Sequence, residues 1–183
     1  VEVLMRIALA DIRAENGLVN KDTVAGGYGS RMTPFSRSTA LYCHFKKKFH
    51  SHPSIQLAYI AATLAERRHE VVATEGDLVE CDLAIVLSSL VDYRNEVRWA
   101  DQIRRKGARV GFIGLAASKL PELFSTHADF VVQGEPEVAA RQIADGQLLS
   151  GVHHSDPVMD LNSLPFPRWD LLRSREEKRI RIM

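Results

Sequence analysis

The sequence predicts an α/β fold in which a five-stranded parallel sheet is covered by helices on both faces. Short runs such as LAIVL (83–87) and ADFVVQ (128–133) carry apolar residues at consecutive rather than alternate positions. That is the pattern of strands buried on both faces. Segments of helical period lie between such runs, so strand and helix alternate along the chain. At 183 residues, 45% of them hydrophobic, the chain suits one domain with a real core, or one domain with a tail.

The elements follow in order. Val3–Ala10 is the first strand, broken only by Arg6 and closed by Asp11. Residues 13–53 carry turn signals at Asn16-Gly17, Gly26-Gly27 and Pro34. They are expected to form a long loop, ordered by Tyr28, Phe35, Tyr42, Phe45 and Phe49 and too long to be a plain connection. From Pro53 a helix is set by Leu57, Ile60, Ala61 and Leu64 at i, i+3, i+4 and i+7. Glu70–Thr74 is the second strand and Leu83–Leu87 the third. The eight residues between them are short for a parallel crossover, yet extended they reach roughly 26 Å, enough to return the chain with little or no helix.

A helix over 93–106 turns Val97, Ala100 and Ile103 inward and stops at Gly107. Arg104, Arg105 and Lys106 occupy its last turn, where the helix dipole favours cations. Ala108–Gly114 is the fourth strand, Leu120–His127 a short helix, Ala128–Gln133 the fifth strand and Glu137–Ala144 the final helix. From about 150 the pattern gives way to a proline-containing run, HHSDPVMDLNSLPFPRWDLL. The expected organisation is a Rossmann-like (flavodoxin-like) domain over 1–150 and a linker over 151–183.

Composition excludes several functions. The net charge of +1 gives no general reason to expect nucleic acid or an anionic membrane as partner. No apolar run approaches the roughly 20 residues that span a bilayer. VEVLMRIALA at the start has no basic segment before it and no clear cleavage site after it, so a strand fits better than a signal peptide. The first residue is not Met, and the chain is expected to be trimmed. Two distant cysteines, Cys43 and Cys81, make neither a disulfide framework nor a CxxC pair, and a reducing cytoplasm is expected. Charge is segregated: residues 23–65 hold Arg31, Arg37 and Lys46-Lys47-Lys48 without an acid, and residues 70–82 hold five acids without a base. Two solvated surfaces account for this, or a basic stretch facing an anionic group.

In parallel sheets of this kind, ligands bind beyond the carboxyl ends of the strands, at the point where strand order reverses. The candidates are therefore Asp11 onward, Glu75-Gly76, Ser88-Ser89-Leu90, Gly114–Ser118 and Gly134–Glu137. No GxGxxG, P-loop or GxSxG elbow stands at these positions, and Ser88 stands where a phosphorylated receiver would need an acid. His50-Ser51-His52 and His153-His154 lack a third ligand in view, and no metal site is expected from them. What remains is small and neutral: Ser88, Ser89, Gly114, Ala116, Ala117, Ser118 and Gly134. Such residues are poor at acid–base chemistry. They suit close approach of a large organic cofactor that carries its own reactivity, or they are tight packing turns.

Four segments carry a resemblance: PSIQLAYIAATLAERRHEV (53–71), DLAIVLSSLVDYRNEVRWADQIRRKGARVGFIGLAAS (82–118), HADFVVQGEPE (127–137) and DLNSLPFPRWDLL (160–172). In order and spacing the chain resembles the N-terminal cobalamin-binding domain of B12-dependent radical SAM enzymes. The resemblance implies that Ser88-Ser89-Leu90 is an S-x-L motif lining the nucleotide tail of cobalamin, with Val91 and Tyr93 beside it. The turn Gly114-Leu115-Ala116-Ala117-Ser118 resembles the family's glycine-rich turn after the fourth strand, although Leu115 replaces the second glycine of the usual pair. Gly134-Glu135-Pro136-Glu137 resembles the turn after the fifth strand in the radical SAM subgroup. The resemblance implies that Gly114, Leu115, Ala116, Ser118, Gly134, Glu135 and Pro136, with Asp11, are cofactor-binding. Gly26, Gly27 and Tyr28 in the long loop are implied as cover for the corrin ring.

Many B12 proteins place D-x-H-x-x-G after the first strand, with the His on cobalt. Here Asp11-Ile12-Arg13-Ala14-Glu15-Asn16-Gly17 puts Arg13 in that place. The radical SAM subgroup commonly lacks the His, which implies base-off cobalamin without histidine ligation. A radical SAM enzyme also needs CxxxCxxC for its [4Fe–4S] cluster and S-adenosylmethionine. That motif is absent before Met183, so the chain is expected to be a non-catalytic fragment whose partner is a C-terminal radical SAM domain, with methyl transfer as the activity of many such parents. The alternatives are a flavodoxin-like flavin or nucleotide domain, and a cofactor-free regulatory or interaction domain.

Overall fold

Residues 4–13, 18–21, 30–49 and 54–172 are described by a computed structural model. In chain order the elements are β1 (Arg6–Ala10), β2 (Leu18–Asn20), β3 (Ser30–Met32), α1 (Arg37–Phe49), α2 (Ile55–Glu66), β4 (Glu70–Thr74), β5 (Leu83–Leu87), α3 (Tyr93–Arg105), β6 (Arg109–Ile113), α4 (Leu115–Lys119), β7 (Phe130–Gly134), α5 (Pro136–Ala144) and β8 (Gly151–Ser155). Six strands form one parallel sheet in the order β4-β1-β5-β6-β7-β8, and β2 and β3 form a separate antiparallel hairpin.

The strand period of two divides the core into halves. Ile7, Leu9, Ile85, Phe130 and Val132 face α2 and α5, where they meet Leu57, Ile60, Leu64 and Ile143. Ala8, Ala10, Val86, Val110 and Val131 face α3 and α4, where they meet Trp99, Ile103 and Phe124. Each large aliphatic side chain sealed in this way contributes about 1.5–3 kcal/mol. Phe112 and Phe124, with ring centroids 4.8 Å apart, add an aromatic pair to the second half. Both faces of the sheet are therefore dry. That explains why β5 is buried at all five positions and reads as an unbroken apolar run.

The short return from β4 to β5 holds. Residues 75–82 contain no helix and carry the chain from the carboxyl end of β4, past β1, to the amino end of β5, with Val79 and Cys81 packed on the α3–α4 half of the core. The indole of Trp99 donates to the Gly76 carbonyl at 3.0 Å and ties this connection to α3.

Four expectations need correction. The sheet has six strands: GVHHS (151–155) pairs in parallel with β7, from Phe130↔Gly151 to Gly134↔Ser155, so the sheet continues past residue 150 where a linker was expected. The following segment is also docked, at least to Leu172. The Arg168 amide donates to the Ala58 carbonyl at 3.0 Å, and Leu171 and Leu172 pack against the α2–α5 half of the core. The helix expected at Leu120–His127 begins earlier, as α4 at Leu115, directly off β6. Pro121 then forces a break, and residues 121–127 form two 3-10 turns. Finally, the stretch expected as a loop over 13–53 contains the hairpin and the thirteen-residue α1. Helix α1 buries Cys43 but leaves Leu41, Tyr42 and Phe45 half exposed, so its apolar residues never settle on one stripe that periodicity could find.

Among the described residues, no helix is long and apolar enough to cross a membrane.

Candidate functional site: the carboxyl edge of the sheet

Sheet order reverses between β1 and β5: β1 connects onward to β4 on one side, and every later strand is added on the other. The carboxyl ends of β1 and β5 thus frame the crevice where doubly wound sheets bind ligands. Asp11 follows the first of these strands and Ser88-Ser89-Leu90 the second.

Both serines are engaged within the protein. The Ser88 hydroxyl donates to the Ile113 carbonyl at 2.6 Å and accepts from the Ala117 amide at 2.9 Å. It therefore clamps the end of β5 to the end of β6 and the first turn of α4. The Ser89 hydroxyl donates to Glu96 Oε1 at 2.6 Å and accepts from the Asp92 amide at 3.2 Å, while its own amide donates to Glu96 Oε2 at 2.9 Å. Leu90, by contrast, is exposed at the edge, and Val91 is half-buried.

Glu96 is wholly buried on α3, and its partner is Lys21, which follows β2. The Lys21 ammonium lies 2.9 Å from Glu96 Oε1, 3.3 Å from Asp11 Oδ1 and 3.0 Å from the Leu87 carbonyl. The Asp11 contact is an ion pair: Asp11 Oδ1 is buried and, by geometry, accepts no hydrogen bond. Burial alone would lower the pKa of Lys21. Glu96, by charge and hydrogen bond, and Asp11, by charge, outweigh burial and hold it above the ordinary lysine value. Burial pushes Glu96 the other way for an acid, above the ordinary glutamate value, against the opposing pull of Lys21 and Ser89.

Asp92 completes the edge. Its Oδ1 accepts from Asn95 Nδ2 at 2.6 Å and lies 3.5 Å from Arg31 NH1 on β3. Its Oδ2 is buried and has no hydrogen-bond partner.

The remaining candidates sort into packing and edge positions. Gly114, at φ +99°, would press an added Cβ to 3.1 Å from Leu87 Cδ1 and 3.3 Å from Ser88 Oγ. Gly134, at φ +113°, would drive one into the Ser155 carbonyl oxygen. Its glycine therefore serves the closure of β7 on β8. Ala116 and Ala117 are fully buried in the α3–α4 half of the core, and Leu115 is half-buried. The Ser118 hydroxyl, on α4, accepts from the Gly134 amide at 3.1 Å and donates to its carbonyl at 3.3 Å, tying α4 to the end of β7. Glu135 is exposed, and its carboxylate takes the Val158 amide at 2.8 Å; Pro136 is buried in the first turn of α5. Tyr93 stands edge-on to Phe124 at 6.4 Å. Arg13 pairs with Glu75 at 2.9 Å. Gly26, Gly27 and Tyr28, like His50-Ser51-His52, lie outside the described residues, whereas His153 Nε2 bonds Gln142 Oε1 at 2.8 Å.

Sequence reasoning missed Lys21, Asp92 and Glu96, and named Arg31 only as part of a basic stretch. One signal was available: Glu96, Ala100 and Ile103 fall at i, i+4 and i+7, placing an acid on the buried stripe of α3, where a charge needs a partner. Nothing local marks Lys21, whose partners lie 10 to 75 positions away along the chain.

Among the described residues of this edge, Lys21 is matched by Glu96 and Asp11, and both serines are held by hydrogen bonds within the protein. Comparison with protein-family models, with curated proteins and with solved structures finds no match to this chain.

Proposed function

We propose that this chain is a cobalamin-binding domain that holds the cofactor base-off across the carboxyl edge of its sheet. The observation that carries the reading is the strand order, β4-β1-β5-β6-β7-β8, which gathers the S-x-L-like turn, the Gly114–Ser118 turn and the Gly134–Pro136 turn on one edge beside the reversal point. A second support is chemical. The corrin rim is largely apolar, and this edge offers exposed Leu90 and half-buried Val91 and Leu115 to it.

On this reading Ser88 and Ser89 work indirectly. Their hydroxyls brace the turn that presents Leu90, and Ser88 Oγ keeps one acceptor lone pair to spare. Arg13 stands where other B12 proteins carry histidine. A guanidinium has no lone pair to give a metal, and this one is tied to Glu75. Bound cobalamin would supply a cobalt centre able to carry an alkyl group; the chain's own part is to bind, orient and shield it.

By the resemblance, such a domain serves a radical SAM enzyme, where [4Fe–4S] and S-adenosylmethionine belong to the barrel and methyl transfer is the activity of many members. A cytoplasmic setting goes with the two cysteines, both free thiols.

Mixed with hydroxocobalamin at micromolar concentration, the protein is expected to carry colour through gel filtration. Complete loss of colour overturns the reading, and retention of a flavin instead supports the flavodoxin-like alternative. Leu90→Arg, at an exposed position, is expected to weaken retention at least tenfold while leaving the melting curve unchanged.

A further inference from the structure

A surface helix of a folded domain normally turns its apolar stripe to the core and its polar face to water. Helix α1 does the reverse. Its start is fixed locally: the Ser36 amide donates to Thr39 Oγ1 at 2.8 Å and the Thr39 amide to Ser36 Oγ at 3.2 Å. Between Arg37 and Lys46, Cys43 alone is buried, and half-buried Thr39 and Lys46 share its side of the helix. Leu41 and Phe45, four residues apart, stand away from that stripe with Tyr42 at their flank. All three are at least half exposed, and Phe35, just ahead of the helix, is 89% exposed. A helix of thirteen residues is marginal in water unless an amphipathic face is packed, and an apolar face of this size at the surface marks an interaction site.

The charges beside this face have one sign. Arg37 falls on the Leu41 side of the apolar stripe and Lys46 on the Tyr42 side, its ammonium 5.7 Å from the Tyr42 ring centroid. Residues 23–65 hold Arg31, Arg37 and Lys46-Lys47-Lys48 and no acid. Two copies of α1 laid face to face would set these bases against one another, which disfavours self-pairing of the helix. An acidic peptide would need only a few of them. Freedom from acid over so long a stretch is what lying against an extended anionic sheet requires. Aromatic and aliphatic side chains between flanking bases suit a helix in the plane of a bilayer surface, its apolar groups at the acyl boundary and its bases at the phosphates. We propose that α1 docks this protein on the surface of an anionic phospholipid bilayer, with Phe35, Leu41 and Phe45 entering the boundary and Arg37 and Lys46 at the headgroups. The helix lies on the bilayer: at about 20 Å it is too short to cross a hydrocarbon core of about 30 Å. The whole-chain charge of +1 conceals this face because acids gather elsewhere, as in residues 70–82. The docking does not depend on any cofactor.

The test is co-sedimentation of the full chain with vesicles of equimolar phosphatidylcholine and phosphatidylglycerol, against vesicles of phosphatidylcholine alone. The protein is expected to bind the mixed vesicles about tenfold or more tightly than the neutral ones, and to be released as salt rises toward about 1 M. Leu41→Ser/Phe45→Ser, which leaves the charge unchanged at exposed positions, is expected to weaken binding about tenfold with little change in the melting curve. Lys46→Gln/Lys47→Gln/Lys48→Gln is expected to weaken it about as much or more. Absence of binding to the mixed vesicles overturns the proposal, as does equal binding to both kinds. Wild-type binding by both variants shows that another surface is responsible and also overturns it. Dimerisation that Leu41→Ser/Phe45→Ser abolishes, without vesicle binding, overturns it in favour of a second copy on α1. Should a variant not fold, the comparison of the two vesicles and the salt dependence, both on wild-type protein, still decide.

Discussion

Among the described residues Lys21 is the cation that bridges Asp11 and the fully buried Glu96, and it also holds the Leu87 carbonyl at the end of β5. Removing one partner of such a group costs about 3–5 kcal/mol, since the buried charge that remains is uncompensated. Lys21→Met is expected to destabilise by that amount in urea melts, and the double change Lys21→Met/Glu96→Gln to recover a large part of the loss. The pH dependence follows from the shifts. Lys21 has a raised folded pKa, so its contribution is complete below its ordinary value of 10.5 and is lost as pH rises through the raised value. Wild type should therefore weaken at alkaline pH where Lys21→Met does not. In Lys21→Met, Glu96 keeps the burial that raises its pKa and loses the charge that opposed it. That variant should gain stability as pH falls through the raised value toward the ordinary 4.5. Melts of both proteins across the pH range check the two signs. Ser88→Ala, which removes one donor and one acceptor from the β5–β6 clamp, is expected to cost about 1–3 kcal/mol.

At the scale of elements, β8 is the least obvious part of the fold and one of the more consequential. It caps the β7 edge, and the pairing is so close that Gly134 admits no Cβ beside the Ser155 carbonyl. Arg109 reaches the Leu149 carbonyl and Asp129 receives the Gly151 amide through its own carbonyl, so the approach to β8 is fastened to β6 and β7. A chain ending at Ser150 should expose the β7 edge. It is expected to melt well below a chain ending at Leu172 and to bind a hydrophobic dye, as read by differential scanning fluorimetry; equal melting points would show that β8 adds no stability. GVHHS was illegible because an edge strand needs burial on fewer sides, and Val152 is 43% exposed. Strand β5 was legible to the residue because it is central and buried at all five positions, and β4, though also an edge, because its Val-Val-Ala run is closed by charge at Glu70 and Glu75. Helix α4 was displaced in the reading because LAASK has too few large apolar residues to show a period, yet its alanines pack flush beneath β6.

At the scale of the whole molecule, sequence pattern was enough for the α/β class, the parallel sheet and the two helical layers. The core explains why: each layer is a separate apolar cluster that its own strand and helix residues announce. The edge was legible only in part. The turns after β5, β6 and β7 were found because small residues after apolar strands are visible in sequence. The polar network beneath them was not, because Lys21, Glu96 and Asp11 come from three distant segments and only the fold unites them. That network also changes the meaning of the serines: they are braces first, and what they present to a ligand is the turn they hold.

The proposed base-off binding would leave cobalt without a nitrogen ligand, and electron paramagnetic resonance of cob(II)alamin mixed with excess protein tests this most directly. Free cob(II)alamin near neutral pH has its own base on cobalt and shows nitrogen splitting of its cobalt lines. On addition of the protein this splitting is expected to disappear. A spectrum unchanged from the free cofactor, or one with nitrogen splitting from a protein histidine, would contradict it.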